Sequence, residues 1–376
     1  MHSIPCFLSR FKLVSRINYF SSTGGIIVRQ TKIDVQRSFN PKWFGSMKKK
    51  RRIRRWAAFI VAGLAIVYSG AALVMISLPL RDVSPADKMS KEEAIADGMT
   101  LEQNYESETC DFTMRDGTVL RGTRYPATSS HSLLFLHGAS GHSSQLNNSI
   151  GGLGKATGFE VFAYDHRGHG HSPGKRGDLD HVNQYATDLS DVLKAIKKRK
   201  PMGKVILAGH SMGGGIIQRY AMSNEPELAD AYLLFAPVLG MGVPGETMPS
   251  FVKPHIPRII GIRMFDVLGI DGFNHLPVVN MGFPEFDGHI NQYTYTSVLS
   301  MRPSDWQEGI AALRKPSFII MGGSDTAKGV SAEKLAVLIK EHSDAEVLVI
   351  PGEGHHVQNH PDAIAAAADW VRKIVD

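Results

Sequence analysis

Gly209-His210-Ser211-Met212-Gly213 is the stretch on which the fold turns. Before it lies Lys204–Ala208, a short apolar run that reads as a buried strand. After it comes Gly214–Ala221, which reads as a helix. A serine between two glycines at a strand-to-helix turn is held in a strained backbone conformation, with its hydroxyl pushed out over the sheet edge. The flanking glycines are needed because a Cβ there would collide with neighbouring chain. Isolated Gly-Xaa-Ser-Xaa-Gly matches arise by chance, but this one has the strand and helix that the turn requires.

Working outward, apolar runs recur with helical spacers between them. Candidate strands are Ser132–Leu136, Glu160–Tyr164, Lys204–Ala208, Ala231–Phe235, Ser317–Met321 and Glu346–Ile350. Tyr185–Lys200, Ile216–Ser223, Ala332–His342 and Pro361–Val375 read as helices. Such alternation predicts an α/β fold with a mostly parallel sheet covered on both faces. Thr109–Met114 and Val119–Tyr125 flank an Asp116-Gly117 turn and read as a hairpin. Residues 237–313 break the rhythm. They are rich in Pro, Gly and Met and include Phe251, Ile259, Ile260, Met264 and Phe265, so they read as an inserted cap whose inner face receives an acyl chain.

A serine hydroxyl needs a base, and the base needs an orienting acid. In a parallel sheet these groups belong on loops beyond the C-terminal strand ends. The strand after the cap runs into Gly322-Gly323-Ser324-Asp325, which makes Asp325 the expected acid; Asp344 precedes a strand and falls at the wrong end. The last strand runs into Gly352-Glu353-Gly354-His355-His356, and His355, directly after the glycine turn, is chosen as base over His356. His137-Gly138-Ala139-Ser140-Gly141 follows an earlier strand. There the backbone amides of Ala139 and Met212 are expected to form an oxyanion hole, with His137 bracing the loop. Three histidines in Asp165-His166-Arg167-Gly168-His169-Gly170-His171-Ser172 invite a metal reading. A tight loop held by hydrogen bonds is preferred, and no metal is expected.

The charge is uneven. Residues 1–55 hold fourteen Lys/Arg and one Asp, and residues 56–80 hold no charge. Since the whole chain is +6, the remainder carries −7, which argues against nucleic acid as its partner. Cys6 and Cys110 imply no disulfide framework. After the basic run Met47–Arg55 and Trp56 comes an uncharged stretch from Ala57 to Leu80. As a helix its 24 residues would extend about 36 Å, enough to cross a hydrocarbon core of about 30 Å. The basic flank predicts a cytoplasmic N-terminus and a large domain on the outer, periplasmic or extracytoplasmic side. An uncleaved anchor is favoured over a cleaved signal peptide at Ser69-Gly70-Ala71, because the apolar run continues past that site. Residues 1–46 read either as sequence upstream of a true start at Met47 or as a targeting presequence, and carry no expected chemistry. The expected domains are thus a basic segment 1–55, an anchor 56–80, a linker 81–105 and a catalytic domain 106–376.

Taken together, His137-Gly138, Asp165–Ser172, the Gly209–Gly214 elbow and Gly354-His355 resemble the α/β-hydrolase superfamily, and within it the monoacylglycerol lipase and lysophospholipase group. The resemblance covers about Phe112 to Val375. It implies Ser211 as nucleophile, Asp325 as acid, His355 as base and no cofactor, and a cap that shapes substrate choice. The expectation is a membrane-anchored serine esterase acting on single-chain lipid esters. Open beside it stand a transacylase, a short-chain carboxylesterase or thioesterase with the same triad, and a non-catalytic binding module. An epoxide hydrolase or dehalogenase is disfavoured, since those members use Asp at the elbow. Acyl length, head group and oligomeric state are not specified by these motifs.

Overall fold

The structure is a computed structural model describing residues 41–97, 103–325 and 329–375. Most of the 1–46 segment, including Cys6, lies outside the described residues. Two units divide the chain, residues 1–67 and 68–376. Helix α1 (Pro41–Ser77) begins in the first and ends in the second. Its part from Lys49 to Ser77 is long and apolar enough to cross a membrane. Phe59, Ile66 and Val67 on it are exposed.

Within the larger unit a short helix α2 (Lys91–Ala96) precedes strands β1 (Glu108–Thr109), β2 (Phe112–Thr113), β3 (Val119–Leu120) and β4 (Gly122–Tyr125). Next come β5 (Ser132–Leu136), α3 (Asn147–Thr157), β6 (Glu160–Tyr164), α4 (Gln184–Arg199), β7 (Val205–His210), α5 (Met212–Ala221) and β8 (Ala231–Phe235). The segment after β8 holds β9 (Val252–Pro254), α6 (Ile256–Asp266), β10 (Pro277–Met281), β11 (Gln292–Thr294), α7 (Tyr295–Ser300) and α8 (Trp306–Ala311). The chain then closes with β12 (Ser317–Gly322), α9 (Ala332–His342), β13 (Glu346–Ile350) and α10 (Pro361–Val375).

The main sheet has eight strands in the order β1-β4-β6-β5-β7-β8-β12-β13. From β6 to β13 all neighbours are parallel, and β4 and β1 add an antiparallel edge. Strands β5, β6, β7 and β8 are buried along their whole length, which is why they read as unbroken apolar runs. Two apolar clusters sandwich the sheet. One gathers Leu134, Leu207, Leu189 and Ile216, the other Leu133, Ile206, Leu153 and Trp370. The expected hairpin forms, but split: β2 pairs with β3, whereas β1 pairs with β4.

The cap carries its own three-stranded sheet, β11-β10-β9. Helix α6 packs on the last turns of α1. Ala72 and Ile76 are buried there, and the Tyr68 hydroxyl donates to the Met264 carbonyl at 3.1 Å. Arg258 donates to the carbonyls of Ile76 (3.1 Å) and Leu78 (2.8 Å), and His255 donates to that of Pro79 (2.7 Å). A helix end leaves carbonyls without intrahelical partners, and the cap supplies the donors. Residues 81–97, expected as a linker, also bond to the domain. The Met89 amide donates to the Gly282 carbonyl at 2.9 Å, and Lys253 pairs with Asp87 at 3.2 Å.

Candidate active site

Ser211 sits between β7 and α5 at φ 51°, ψ −116°. Left-handed φ in a residue with a side chain costs on the order of 1–3 kcal/mol, so the surroundings must over-determine it. They do so through both of its peptide groups. The Ser211 amide donates to the Phe235 carbonyl at 3.0 Å, and its own carbonyl accepts from Gly214 (3.0 Å) and Val238 (2.9 Å). Close packing completes the constraint: a Cβ at Gly213 would lie 2.4 Å from the Leu136 carbonyl oxygen. The helix expected from about residue 214 in fact starts at Met212, directly under the hydroxyl.

His355 stands between the other two predicted side chains. Its Nδ1 lies 2.9 Å from Asp325 Oδ2, and its Nε2 lies 2.9 Å from Ser211 Oγ. A carboxylate only accepts, so Nδ1 carries the proton and Nε2 is left bare to accept from the serine hydroxyl. These three residues, 114 and 30 positions apart in the chain, therefore form one hydrogen-bonded line from acid to base to hydroxyl. Ser211 is buried and His355 partly exposed, as a group that must meet a substrate should be.

The oxyanion loop is held from behind. His137 donates through Nδ1 to the Gly138 carbonyl (2.8 Å) and accepts through Nε2 from the His166 amide (3.0 Å). Burial pushes its pKa down to about 4, which keeps it neutral and fixes that tautomer. Ser140, at φ 65°, donates its amide to the Tyr293 hydroxyl at 2.6 Å. That hydroxyl in turn donates to His169 Nε2 at 3.0 Å, since His169 Nδ1 is the proton-bearing nitrogen toward the Arg167 carbonyl (3.2 Å). Burial holds His166 and His169 well below the ordinary histidine range. Among the described residues, the Ala139 and Met212 amides donate to no other group. Met212 opens α5, where the first amides have no helical acceptor. Both therefore remain available to an oxyanion.

Sequence reasoning gave no role to Tyr293, His210 or Asp97, and weighed His356 only as a rival base. Tyr293, on β11 of the cap, secures the oxyanion loop. His210, inside the elbow, donates through Nε2 to the His355 carbonyl at 3.0 Å and is kept neutral by burial. Asp97 accepts from His356 Nδ1 beside the base, at 3.0 Å. An Asp after a short polar helix carries no local signal, so only the fold reveals it.

Gly138, Ala139, Ser211, Phe283, His289 and His355 are among the groups lining a cleft of about 70 Å³. The ligating atoms of Asp165 and His171 in the Asp165–Ser172 loop and of His142 outside it lie within 4.8 Å of one another. Asp165, however, already accepts from the Ser143 amide (2.8 Å), the Ser143 hydroxyl (2.6 Å) and the His171 amide (2.8 Å). Its lone pairs shape the loop, and we assign the group no metal role.

The family model described as serine aminopeptidase, S33, matches residues 127–261. A monoglyceride lipase homolog of monkeypox virus is 32% identical over 274 residues, covering 69% of this chain and 94% of the relative. The chain belongs to the α/β-hydrolases of the monoacylglycerol lipase group. Like them it is a serine ester hydrolase. A monoacylglycerol lipase of Mycolicibacterium smegmatis is 26% identical over 249 residues, covering 61% of this chain and 82% of the relative. The solved monoacylglycerol lipase of Paleococcus ferrophilus shares the fold, at TM-score 0.52 and 20% identity, over 68% of this chain and 99% of its own. This α/β-hydrolase adds to that common fold a long apolar helix near its N-terminus.

Proposed function

We propose that this α/β-hydrolase is a membrane-anchored lipase that cleaves single-chain lipid esters through an acyl-enzyme on Ser211. The observation that carries the reading is the line Asp325–His355–Ser211, with 2.9 Å at each step. Ser211 Oγ attacks the ester carbonyl carbon while His355 Nε2 takes its proton. The carbonyl oxygen becomes the oxyanion and accepts from Ala139 and Met212. The imidazolium, held by Asp325, returns the proton to the departing alkoxide, which leaves as the alcohol. Water then repeats the sequence on the acyl-enzyme, freeing the acid and Ser211.

The lipid assignment is supported by the joint between α1 and the cap. Residues 56–67 as a helix extend about 18 Å, short of a hydrocarbon core of about 30 Å. A spanning helix must therefore bring residues 68–75 into the bilayer as well, and that is the stretch on which α6 packs. Exposed Ile256, Ile260, Val267, Leu268 and Ile270 on α6 and its following turn suit an interface with lipid. The seven cationic residues between Met47 and Trp56 favour a cytoplasmic N-terminus, which puts the catalytic domain outside.

The test is a fluorophosphonate probe on the membrane-reconstituted chain. Ser211 is expected to label, and Ser211→Ala to abolish labelling; labelling that survives this change defeats the assignment. Hydrolysis across monoacylglycerols, lysophospholipids and short aryl esters then tests the substrate class. A preference for short water-soluble esters would remove the lipase reading and leave an esterase. Digestion of intact cells by an added protease reports the side.

A further inference from the structure

The segment joining α1 to the catalytic domain reaches the base loop. Ser90 and Glu93 form reciprocal hydrogen bonds that start α2, at 3.0 Å and 2.7 Å. Asp97 ends it, with its amide donating to the Glu93 carbonyl at 2.9 Å. The Asp97 carboxylate then spans two consecutive residues of the loop after β13. Oδ1 accepts from the His355 amide at 3.3 Å, and Oδ2 accepts from His356 Nδ1 at 3.0 Å. His356 lies against His210, ring centroids 5.2 Å apart, and His210 holds the His355 carbonyl. The backbone of His355 is thus fixed on both sides: its amide by Asp97 and its carbonyl by His210.

We propose that Asp97 is a positioning residue, and that the segment following the apolar helix completes the active site by holding the His355 backbone in register with Ser211. The proposal rests on the Ser211–His355 reading above. Nothing else among the described residues donates to or accepts from that amide. Without the carboxylate the loop loses two anchors at once, next to an imidazole that must stay within hydrogen-bond reach of a hydroxyl. Docking of residues 84–97 and turnover are then linked: a chain whose segment lifts away has the triad but not its alignment.

The experiment uses the full chain in detergent micelles, with active sites titrated by a fluorophosphonate probe and turnover measured on p-nitrophenyl butyrate. Asp97→Ala is expected to lower kcat per titrated site by roughly ten- to a hundredfold with KM unchanged, since a misplacement near 1 Å can cost on the order of a hundredfold. The probe's reaction rate should fall by the same factor. Asp97→Asn is expected to recover to within about threefold of the parent. Its Oδ1 still accepts from His355, and its amide donates to His356 once that ring moves its proton to Nε2. A merely structural role would lower the melting temperature and the titratable fraction but not kcat per titrated site. The proposal is overturned if Asp97→Ala turns over within twofold of the parent per titrated site, if KM moves and kcat does not, or if Asp97→Asn is as slow as Asp97→Ala. A parent chain whose Ser211 fails to react would instead overturn the hydrolase reading on which the proposal stands.

Discussion

The alignment of acid and base depends on a contact that one methyl group should break. Gly322 is the last residue of β12 and pairs with Ile350, the last of β13. Beyond that pair the two loops are stitched by backbone bonds, Gly323 to Ile350 and Ser324 to Glu353, at 2.8 Å each. A Cβ at 322 would sit 2.2 Å from the Gly354 carbonyl oxygen and 2.4 Å from that of Glu353. Both obstacles are backbone, so no rotamer change relieves them. Because Cβ contacts under 3.0 Å essentially never occur, Gly322→Ala must move the chain at 354 by about 0.8 Å. Gly354 is bonded directly to His355. Carried along the relay, that displacement would lengthen the 2.9 Å contact to Ser211 to about 3.7 Å, beyond hydrogen-bond range.

A shift of this size predicts a fall in kcat of about a hundredfold, or about 2.7 kcal/mol in the barrier, with KM little changed. Overpacking should also cost about 1–3 kcal/mol of stability, a drop of a few degrees in Tm. The assay is kcat and KM on a soluble aryl ester, normalised to titrated active sites, with melting followed in parallel. If Gly322→Ala folds and turns over within threefold of the parent, the loops are not held as tightly as argued, and the geometric account of the base fails.

Three further outcomes follow from the same contacts. Arg167 forks onto Asp188 at 2.9 and 2.8 Å, both side chains nearly inaccessible, so Arg167→Ala strands a buried carboxylate. It should cost about 3–5 kcal/mol, read as the denaturant midpoint, and an Arg167→Met, Asp188→Leu double variant should recover most of it. His137 titrates near 4 in the folded chain because it is buried, against an ordinary value of 6.5. The unfolded chain therefore takes up a proton that the folded chain refuses. Stability should fall as pH drops from about 6.5 toward 4, by up to ~1.4 kcal/mol per pH unit for this group. Urea midpoints at pH 7, 6 and 5 should show a slope of that sign, and His137→Gln should reduce it by one histidine's share, since His166, His169 and His210 add to it; an unchanged slope would contradict the neutral assignment. Lastly, Val267→Asp and Leu268→Asp place charges on exposed cap positions. They should weaken hydrolysis of monoacylglycerol in vesicles several-fold while leaving turnover of a soluble aryl ester unchanged.

How much of this was legible in the sequence depended on the range of the signal. The central strands announced themselves because a parallel strand buried on both faces must be apolar throughout, and Ser132–Leu136, Glu160–Tyr164 and Ala231–Phe235 were placed to the residue. Ser211, Asp325 and His355 were found because each follows a strand at the end where such loops converge. Helix α3 was missed: Asn147–Thr157 contains three glycines and no long apolar stripe, and it is held instead by packing against α10. Tyr293, His210 and Asp97 were invisible for another reason. Each acts on a backbone group more than 140 positions away, and no local pattern encodes a partner at that distance.

The distribution of charge around the nucleophile explains why so many histidines gather there without competing for its proton. His137, His166, His169 and His210 are fully enclosed, and burial disfavours their cationic forms. Each neutral ring presents one donor and one acceptor, and their hydrogen bonds fix loops: His137 and His169 behind the oxyanion amides, His210 behind the base. An amide or hydroxyl side chain of similar size lacks that rigid, oppositely directed pair. His355 differs in one respect: its Nδ1 faces a carboxylate, so a positive charge formed on it is met at once. The cluster thus separates two uses of one side-chain type by environment alone.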